Sequence, residues 1–322
     1  MATTQLSQYY KYLTCPRCRS PLTVTDDRFL CTSAGSCPYA LAPFPVICGA
    51  PALVDFEQSI ISADQLTGTS GSPQVDRAPP RARLRRRLSS LSHPPNHQAS
   101  RSVGRMLGVL RQRDGSASRP LILVVGGGSR GAGLDEIYAA PDIDVLAFDI
   151  YWSPHAQFIA DGHSIPLANE TVDAVIVQAV LEHVLEPSVV VREIHRVLAP
   201  GGLIYADTPF LQQVHEGAYD FTRFTDSGHR YLLRDFDCIE SGMIAGAGTQ
   251  LMWSIDHFVR ALMRSRQAGV AAKFAFFWLA YLDRLLDPKY SLDSASSVFF
   301  LGRKTACPMS AESIIQYYQG AQ

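Results

Sequence analysis

The sequence has no apolar run long enough to cross a membrane, and it shows no secretory signal at its start. A membrane-spanning helix needs about 20 consecutive apolar residues, and the most apolar stretch, VAAKFAFFWLAYL at 270–282, is shorter and interrupted by Lys273. The first residues, MATTQLSQYYKYL, lack the apolar core of a signal peptide. Only seven cysteines occur, five of them before residue 49, whereas a disulfide-bonded secreted protein distributes them across its framework. We therefore expect a cytoplasmic protein with reduced thiols.

Charge is unevenly distributed along the chain, although the formal net charge is only −1. Residues 1–57 are neutral, residues 58–119 carry eleven basic against three acidic side chains, and residues 120–322 carry fourteen against twenty-three. Serine, glycine and proline are frequent at 58–100 and no apolar periodicity occurs there, which predicts a flexible basic linker. We expect a small module at 1–57 before this linker and a larger domain at 101–322 after it.

Four cysteines near the start are spaced like the ligands of a structural metal ion. Cys15 and Cys18 are followed, after twelve residues, by Cys31 and Cys37. Two thiolate pairs on two loops provide the tetrahedral sulfur set that Zn2+ prefers. The module holds too few apolar residues for a core of its own, so we expect the ion to be needed for folding. A group of free thiols without metal is the alternative, and Cys48 is expected to pack as a small apolar residue.

From residue 120 onward, apolar strands alternate with helical segments. The predicted strands are 121–125, 144–149, 172–178, 202–209, 236–247 and 296–304. Within 187–202, the residues Val190, Ile194 and Val197 follow helical spacing, and Pro-Gly-Gly marks the end of the helix. Alternation of this kind predicts an α/β fold with a doubly wound, mostly parallel sheet that helices cover on both faces.

A second helical segment is predicted at 256–287, within a helical insertion at about 250–290. Its apolar part, residues 270–282, has two interpretations. It packs against the domain through an apolar stripe, or it forms a surface that contacts a membrane peripherally or covers an apolar substrate.

A glycine-rich loop follows the first strand of the larger domain. The strand LILVV enters GGGSRGAG at 126–133, and a helix is predicted after it. In such a loop, glycines let backbone amides approach a ligand in front of a helix N-terminus. Asp149 ends the next strand about twenty residues later, where a carboxylate can accept hydrogen bonds from both hydroxyls of a ribose. The alternative is a tight turn followed by a strand-end acid or a helix cap.

The segment at 161–210 resembles the second half of class I S-adenosyl-L-methionine-dependent methyltransferases of the small-molecule type. The motifs that carry the resemblance are Asp161, Ile165-Pro166-Leu167, Val172-Asp173-Ala174-Val175, Leu181-Glu182-His183 and Leu198-Ala199-Pro200-Gly201-Gly202. The resemblance covers about 120–235. It implies a seven-stranded Rossmann-like sheet and S-adenosyl-L-methionine as the cofactor.

The same resemblance implies roles for individual residues. The implied cofactor-binding residues are Gly126 and Gly128 under the methionine part, Asp149 at the ribose, Asp161 beside the adenine amine, and Gln178 as a wall. The chain departs from the family at two positions: Val124 stands where an acidic residue is usual, and Arg130 replaces the third glycine. We expect another carboxylate to hold the amino group of the cofactor.

The N-terminal module has a resemblance of its own. YLTCPRCRSPL, the second cysteine pair and FPVICGAPALVDF are similar to the zinc ribbon of short activator proteins of tRNA methyltransferases and of some bacterial methyltransferases. The likeness spans about 45 residues and implies a structural or docking role.

The loop at 208–233 carries the candidate catalytic residues. It contains His215, Asp220 and Arg223 among aromatic side chains, and it resembles a segment of bacterial methyltransferases from saccharide or secondary-metabolite pathways. His215 is the candidate base, because its reference pKa lies near neutrality. Asp220 would orient the histidine or the acceptor, and Arg223 would hold an anionic group. Alternatively, Asp220 and Arg223 form a salt bridge and His215 is only a structural hydrogen-bonding residue.

Three classes of function remain open at this stage. The first is methyl transfer to a small-molecule or glycan-type acceptor. The second is RNA methylation, in which the arginines at 81, 83, 85, 86 and 87 would contact phosphates. Nucleic acid is the less favoured partner, because the catalytic domain is acidic and its loop lacks the signature of amino-group methylation. The third is a non-catalytic binding subunit, suggested by Val124 and Arg130.

Overall fold

The computed structural model describes residues 5–33, 35, 37–68, 97–112 and 119–322. The five arginines of the RNA hypothesis, and with them most of the predicted linker, lie outside these residues. Within the described part of that segment, residues 63–68 and residues from 97 onward are helical.

The N-terminal module consists of two short antiparallel hairpins. After a 3-10 helix at Leu6–Tyr12, strand β1 (Leu22–Thr25) pairs with β2 (Arg28–Cys31), and β3 (Val46–Ile47) pairs with β4 (Ala50–Pro51). A short helix, α1 (Ala63–Gly68), follows. The β3–β4 turn places Cys48 and Gly49 at φ values of +50° and +84°, as a two-residue hairpin turn requires. Cys48 is exposed there, so the prediction that it packs as an apolar residue is wrong.

Seven strands form the central sheet. They are β5 (Leu121–Val125), β6 (Asp144–Asp149), β7 (Phe158–Ile159), β8 (Val172–Gln178), β9 (Leu198–Pro209), β10 (Phe236–Ala245) and β11 (Ser297–Lys304). Their order across the sheet is β10-β11-β9-β8-β5-β6-β7. Strand β11 runs antiparallel to both of its neighbours, and the other pairings from β9 to β7 are parallel. The predicted doubly wound, mostly parallel sheet of an α/β fold is confirmed.

Alternating residues of β5 pack on opposite faces of the sheet. Leu121, Leu123 and Val125 belong to one core cluster, whereas Ile122 and Val124 belong to another. The helices that cover the sheet or flank it are α2 (His97–Arg111), α3 (Asp135–Ala139), α4 (Pro187–Val197) and α5 (Asp226–Leu232). The apolar stripes of α2 and α4 lie in different clusters, so these two helices cover opposite faces.

Helix α4 ends just before the Pro-Gly-Gly sequence that was predicted to stop it. The helix ends at Val197, and β9 begins at Leu198, four residues before the predicted start at 202. Pro200 disfavours helical backbone at the residue before it, so the helix cannot extend past this point.

The helical insertion is a series of separate helices. These are α6 (Ala247–Met263), α7 (Arg266–Ala275), α8 (Leu279–Leu282) and α9 (Pro288–Leu292); the last helix, α10 (Ala311–Tyr317), follows β11. The helical segment predicted at 256–287 is thus divided among α6, α7 and α8. Arg264 adopts left-handed backbone at the end of α6, and Ser265 accepts a hydrogen bond from the Ala268 amide to begin α7.

The apolar stretch at 270–282 is partly buried against the domain. Leu279 and Ala280 are buried, whereas Phe276 and Trp278 are exposed. Lys273 is buried with its ammonium 4.3 Å from the centre of the Trp253 ring, a cation–π contact. Among the residues that the structure describes, no helix is both long and apolar enough to span a bilayer.

The N-terminal module packs on the α4 face and shares the core of the sheet. Leu13, Phe29 and Phe44 join Phe158 and Leu167 in one cluster of buried side chains. The backbone amide of Thr14 donates to the carbonyl of Pro166 at 3.1 Å, and the amide of Leu53 donates to the carbonyl of Ile159 at 2.8 Å. A salt bridge of 2.8 Å joins Arg19 to Glu193 of α4. The module is thus a docked part of the fold.

Candidate functional site

The four cysteines of the N-terminal module converge on one point. Their Sγ atoms all lie within 4.8 Å of one another. The Cys15–Cys37 and Cys18–Cys31 distances are 3.7 and 3.3 Å. A tetrahedral zinc ion with Zn–S bonds of about 2.3 Å separates its sulfurs by about 3.8 Å. The chemistry of the donor set and its spacing fit a zinc ion with four thiolate ligands.

The glycine-rich loop closes tightly over the end of β6. Gly126 has a φ of +74°, and a Cβ on Gly128 would lie 2.5 Å from Oδ2 of Asp149. The Gly128 amide donates to this same oxygen at 2.7 Å, and the Ile150 amide donates to Oδ1 at 2.7 Å. Burial nevertheless raises the pKa of Asp149 to about 6, because the loss of solvation outweighs these hydrogen bonds.

The two departures from the family have simple structural explanations. Val124 is 4% exposed and packs in the core on the α2 side of the sheet. The Arg130 guanidinium lies 5.0 Å from the centre of the Tyr138 ring. Val124 is therefore a core residue, and Arg130 makes a cation–π contact with helix α3.

Asp161 is held by two neighbours. Oδ2 accepts a hydrogen bond of 2.5 Å from the Ser59 hydroxyl, and Oδ1 lies 2.9 Å from the His163 amide and 2.6 Å from its ring Nδ1. Burial raises the pKa of Asp161, but the hydrogen bonds from His163 and Ser59 outweigh it and leave the pKa below its usual range. Asp161 likewise raises the pKa of His163. Ser59 lies in the predicted linker, so sequence reasoning missed this contact.

Gln178 faces the glycine-rich loop from the end of β8. Its Nε2 donates to the Ala132 carbonyl at 3.2 Å and to Asp207 at 2.9 Å. A Cβ on Gly131 would lie 1.9 Å from Gln178 Oε1. This oxygen is buried without a hydrogen-bond partner among the described residues.

The loop at 126–133, Asp149 and Gln178 form a cradle that fits a nucleoside-type cofactor. The glycines leave no space for side chains. The Asp149 carboxylate offers about four acceptor positions, and backbone amides do not use all of them.

The loop after β9 brings the three candidate catalytic residues together. Arg223 forms a two-point salt bridge with Asp220, and one of its contacts measures 2.7 Å. The His215 amide donates to Asp220 Oδ2 at 2.9 Å, and the His215 ring Nδ1 lies 3.5 Å from the same oxygen. Burial raises the pKa of Asp220, but Arg223 and His215 outweigh it and lower the pKa to about 2. The salt bridge expected in the structural alternative is therefore present, and it lies beside the histidine.

Two further residues complete a cluster that sequence reasoning missed. His183 Nε2 lies 3.1 Å from His215 Nε2, and Glu182 Oε1 lies 3.6 Å and 3.9 Å from these two nitrogens. Burial raises the pKa of Glu182, which is fully buried, to about 8. Glu182 and His183 belong to the Leu-Glu-His motif, to which sequence reasoning assigned no role beyond the family resemblance. The two titratable neighbours within that motif were the signal for a site.

An open cavity lies beside the cluster. Its volume is about 510 Å³, and Gln213, Asp220, Arg223 and His257 are among the residues that line it. His257 belongs to α6, and Ser254 of the same helix accepts a hydrogen bond of 3.1 Å from Gln213. The helical insertion thus forms one wall of the cavity.

Comparison with known proteins identifies the class of this domain. Residues 142–206 match the model of a methyltransferase domain family, which covers β6 to most of β9. This match, together with the seven-stranded topology, defines a class I S-adenosylmethionine-dependent methyltransferase domain. The chain carries a methyltransferase domain, and the predicted resemblance is confirmed.

Solved structures also resemble the chain, at low identity. The [4+2]-cyclase SpnF is 18% identical over 66% of this chain and 81% of its own, with a TM-score of 0.39. Burkholderia thailandensis 1,6-didemethyltoxoflavin-N1-methyltransferase is 16% identical over 70% and 84%, with a TM-score of 0.40. Haemonchus contortus phosphoethanolamine N-methyltransferase 2 is 13% identical over 62% and 52%, with a TM-score of 0.39. No curated protein matches the chain.

Proposed function

We propose that the protein transfers a methyl group from S-adenosylmethionine to a hydroxyl group of a small-molecule or glycan-type acceptor. The observation that carries this proposal is the position of the Glu182–His183–His215 cluster beside the cofactor cradle. Gln178 faces the glycine-rich loop, and Glu182 follows it by four residues at the start of a 3-10 turn. A hydroxyl in the cavity next to this cluster would be close to both the methyl donor and groups that assist loss of its proton.

The cofactor would be held by the residues of the cradle. Asp149 would accept hydrogen bonds from the ribose, Gly126 and Gly128 would lie under the methionine part, and Gln178 would form a wall. Asp161 would accept a hydrogen bond from the adenine amine in addition to the one that it accepts from the Ser59 hydroxyl. When bound, the cofactor supplies an electrophilic methyl group on a sulfonium, and positioning of the acceptor for in-line attack supplies most of the rate.

The acceptor would bind in the cavity beside Asp220 and Arg223. Asp220 holds His215 through its backbone amide and faces its ring, so Asp220 orients the histidine. The N–H groups of Arg223 already donate to Asp220 and to backbone carbonyls, so Arg223 would favour an anionic acceptor through its charge alone. His215 would assist the loss of the hydroxyl proton.

The four cysteines would hold Zn2+ with a structural role. Four thiolate ligands leave no open coordination position, so the ion would not take part in methyl transfer. Its position in the docked module supports the α4 face of the sheet.

A labelling experiment tests the proposed reaction. The protein is incubated with methyl-labelled S-adenosylmethionine and a cell extract separated into small molecules, glycans, RNA and protein. We expect label in the small-molecule or glycan fraction, on an oxygen atom. Label in RNA alone would contradict the proposal and support the RNA alternative.

Substitution of His215 tests the role of the cluster. We expect His215→Ala to reduce turnover by about 100-fold, the usual contribution of proton-transfer assistance, with unchanged binding of S-adenosylhomocysteine. His97→Ala is the matched control, because His97 is exposed at the start of α2. Equal turnover of the two variants would remove His215 from catalysis.

A further inference from the structure

His183 and His215 face each other through ring nitrogens that carry no proton. His183 Nδ1 lies 2.6 Å from the carbonyl oxygen of Tyr219. A carbonyl only accepts hydrogen bonds, so Nδ1 carries the proton and Nε2 has a free lone pair. His215 Nδ1 faces the Asp220 carboxylate at 3.5 Å, which favours the same tautomer. Two Nε2 lone pairs therefore meet at 3.1 Å, an arrangement that requires a positively charged partner.

Glu182 adds a buried carboxyl group without a hydrogen-bond partner at the same point. Its side chain is fully buried, and both carboxylate oxygens lack a hydrogen-bond partner among the described residues. A buried carboxylate without a partner is costly, so such groups are normally paired with a cation or bound to a metal. The two histidine nitrogens are its nearest neighbours with lone pairs, at 3.6 and 3.9 Å.

The spacing of the two nitrogens fits a common metal ion. With metal–nitrogen bonds of about 2.05 Å, two ligands lie about 2.9 Å apart at a right angle and about 3.3 Å apart at the tetrahedral angle. The observed separation of 3.1 Å lies between these values. Metal-bound histidines also donate their other ring N–H to a carbonyl or a carboxylate, as His183 does toward Tyr219; the corresponding His215 Nδ1 faces Asp220 at 3.5 Å.

We propose that Glu182 Oε1, His183 Nε2 and His215 Nε2 bind a divalent transition-metal cation. Two imidazoles and one carboxylate suit the zinc, cobalt, iron and manganese group of ions. Three protein ligands leave coordination positions open, and the cavity lined by Asp220 lies next to the cluster.

The metal specifies how the proposed methyl transfer would occur, and this part rests on the proposed function. An acceptor hydroxyl bound to the cation loses its proton to water at a lower pKa. The oxygen then forms a bond to the methyl carbon as the carbon–sulfur bond breaks, and neutral S-adenosylhomocysteine leaves. In this arrangement His215 acts as a ligand, while Asp220 and the Tyr219 carbonyl position the two rings.

Cobalt binding tests the site without any need for the acceptor. The full-length protein, loaded with one equivalent of Zn2+ in the cysteine site, is titrated with Co2+ and followed by visible absorbance. We expect one further equivalent to bind with weak d–d bands and without the near-ultraviolet bands of thiolate-bound cobalt. The absence of thiolate bands shows that the cysteine site is not exchanging its metal.

Variants identify the ligands. Glu182→Gln and His215→Ala are expected to weaken Co2+ binding by more than about 100-fold. Asp220→Asn is expected to weaken it by about 10–100-fold, as loss of an outer partner does. The control is His257→Ala, which changes a histidine of the same cavity outside the cluster and should bind Co2+ like the original protein. Near-ultraviolet circular dichroism of each variant confirms that it is folded.

The outcomes separate this inference from the proposed function. No saturable binding beyond the cysteine site, or equal binding by the folded Glu182→Gln variant, would overturn the metal site. Methyl transfer by a protein that binds no Co2+ would keep the proposed function and refute the inference. One equivalent of Co2+ lost in the ligand variants supports the inference, even if methyl transfer to hydroxyl groups is not observed.

Discussion

Lowering the pH should weaken cofactor binding through a single buried carboxylate. Asp149 would accept hydrogen bonds from the ribose hydroxyls, and the ionised form is the better acceptor. Burial raises the pKa of Asp149 to about 6. The carboxylate is therefore about 97% ionised at pH 7.5 but only about 9% ionised at pH 5.0. Because the apparent dissociation constant scales with the inverse of the competent fraction, we expect binding of S-adenosylhomocysteine to weaken by about tenfold, or ~1.4 kcal/mol.

The stability of the unliganded protein should change in the opposite direction. The folded-state pKa of Asp149 lies above the value of about 3.9 in an unfolded chain, so the folded protein binds this proton more tightly. The resulting contribution to stability is full below about pH 4 and is lost as the pH rises through about 6. Its size is about 3 kcal/mol for a shift of about two pKa units.

Calorimetric titration of S-adenosylhomocysteine at pH 5.0, 6.0 and 7.5 measures the effect. The control is Asp149→Asn, whose amide does not titrate. Ionisation of the ligand and of the Asp161–His163 pair affects both proteins equally, so the ratio of their affinities isolates Asp149. We expect the variant to bind more weakly at pH 7.5 and this difference to disappear at pH 5.0. A ratio that is constant with pH would refute the assignment of Asp149 to the ribose.

Three further predictions concern stability. Removal of zinc by a chelator, or Cys18→Ser, should lower the melting temperature of the whole protein, since the N-terminal module shares its core with the sheet. A separate melting transition of the N-terminal module alone would contradict this. Phe158→Ala should lower the free energy of unfolding in urea by about 3–5 kcal/mol, because Phe158 is fully buried and stacks on Phe148. A loss of less than about 1 kcal/mol would be inconsistent with that packing. Asp283→Ala should lower the free energy of unfolding by about 2 kcal/mol in the same assay. Asp283 accepts hydrogen bonds from the Gly246 and Gly248 amides at the start of α6 and from the Thr249 hydroxyl, whose Oγ1 lies at 2.6 Å. Unchanged stability would exclude this capping role.

The central strands could be predicted almost to the residue. Strands β5, β6 and β8 have the predicted bounds of 121–125, 144–149 and 172–178. Each contains a short apolar run that ends at a glycine or a polar residue, so local sequence decides its limits. The ends of the separate helices in the insertion could not be predicted from apolar runs. They depend on capping at Ser265 and on close approach at Gly269, where a Cβ would lie 2.7 Å from the Asp256 carbonyl oxygen.

The candidate site was predictable only where its residues were close in sequence. His215, Asp220 and Arg223 lie within nine residues, and the structure places them in contact. The contact between Ser59 and Asp161 joins residues 102 positions apart. That pairing arises from docking of the N-terminal module, which no local pattern encodes.

The contact between the N-terminal module and β7 has a consequence for self-association. Strand β7 is two residues long and forms one edge of the central sheet. The backbone at Ala52 and Leu53 pairs with it in parallel at Ile159. Exposed sheet edges are templates for intermolecular strand pairing. Detachment of the module would uncover this edge and the apolar surface beneath it, so we expect metal-free protein to aggregate through strand addition rather than to remain a dispersed monomer.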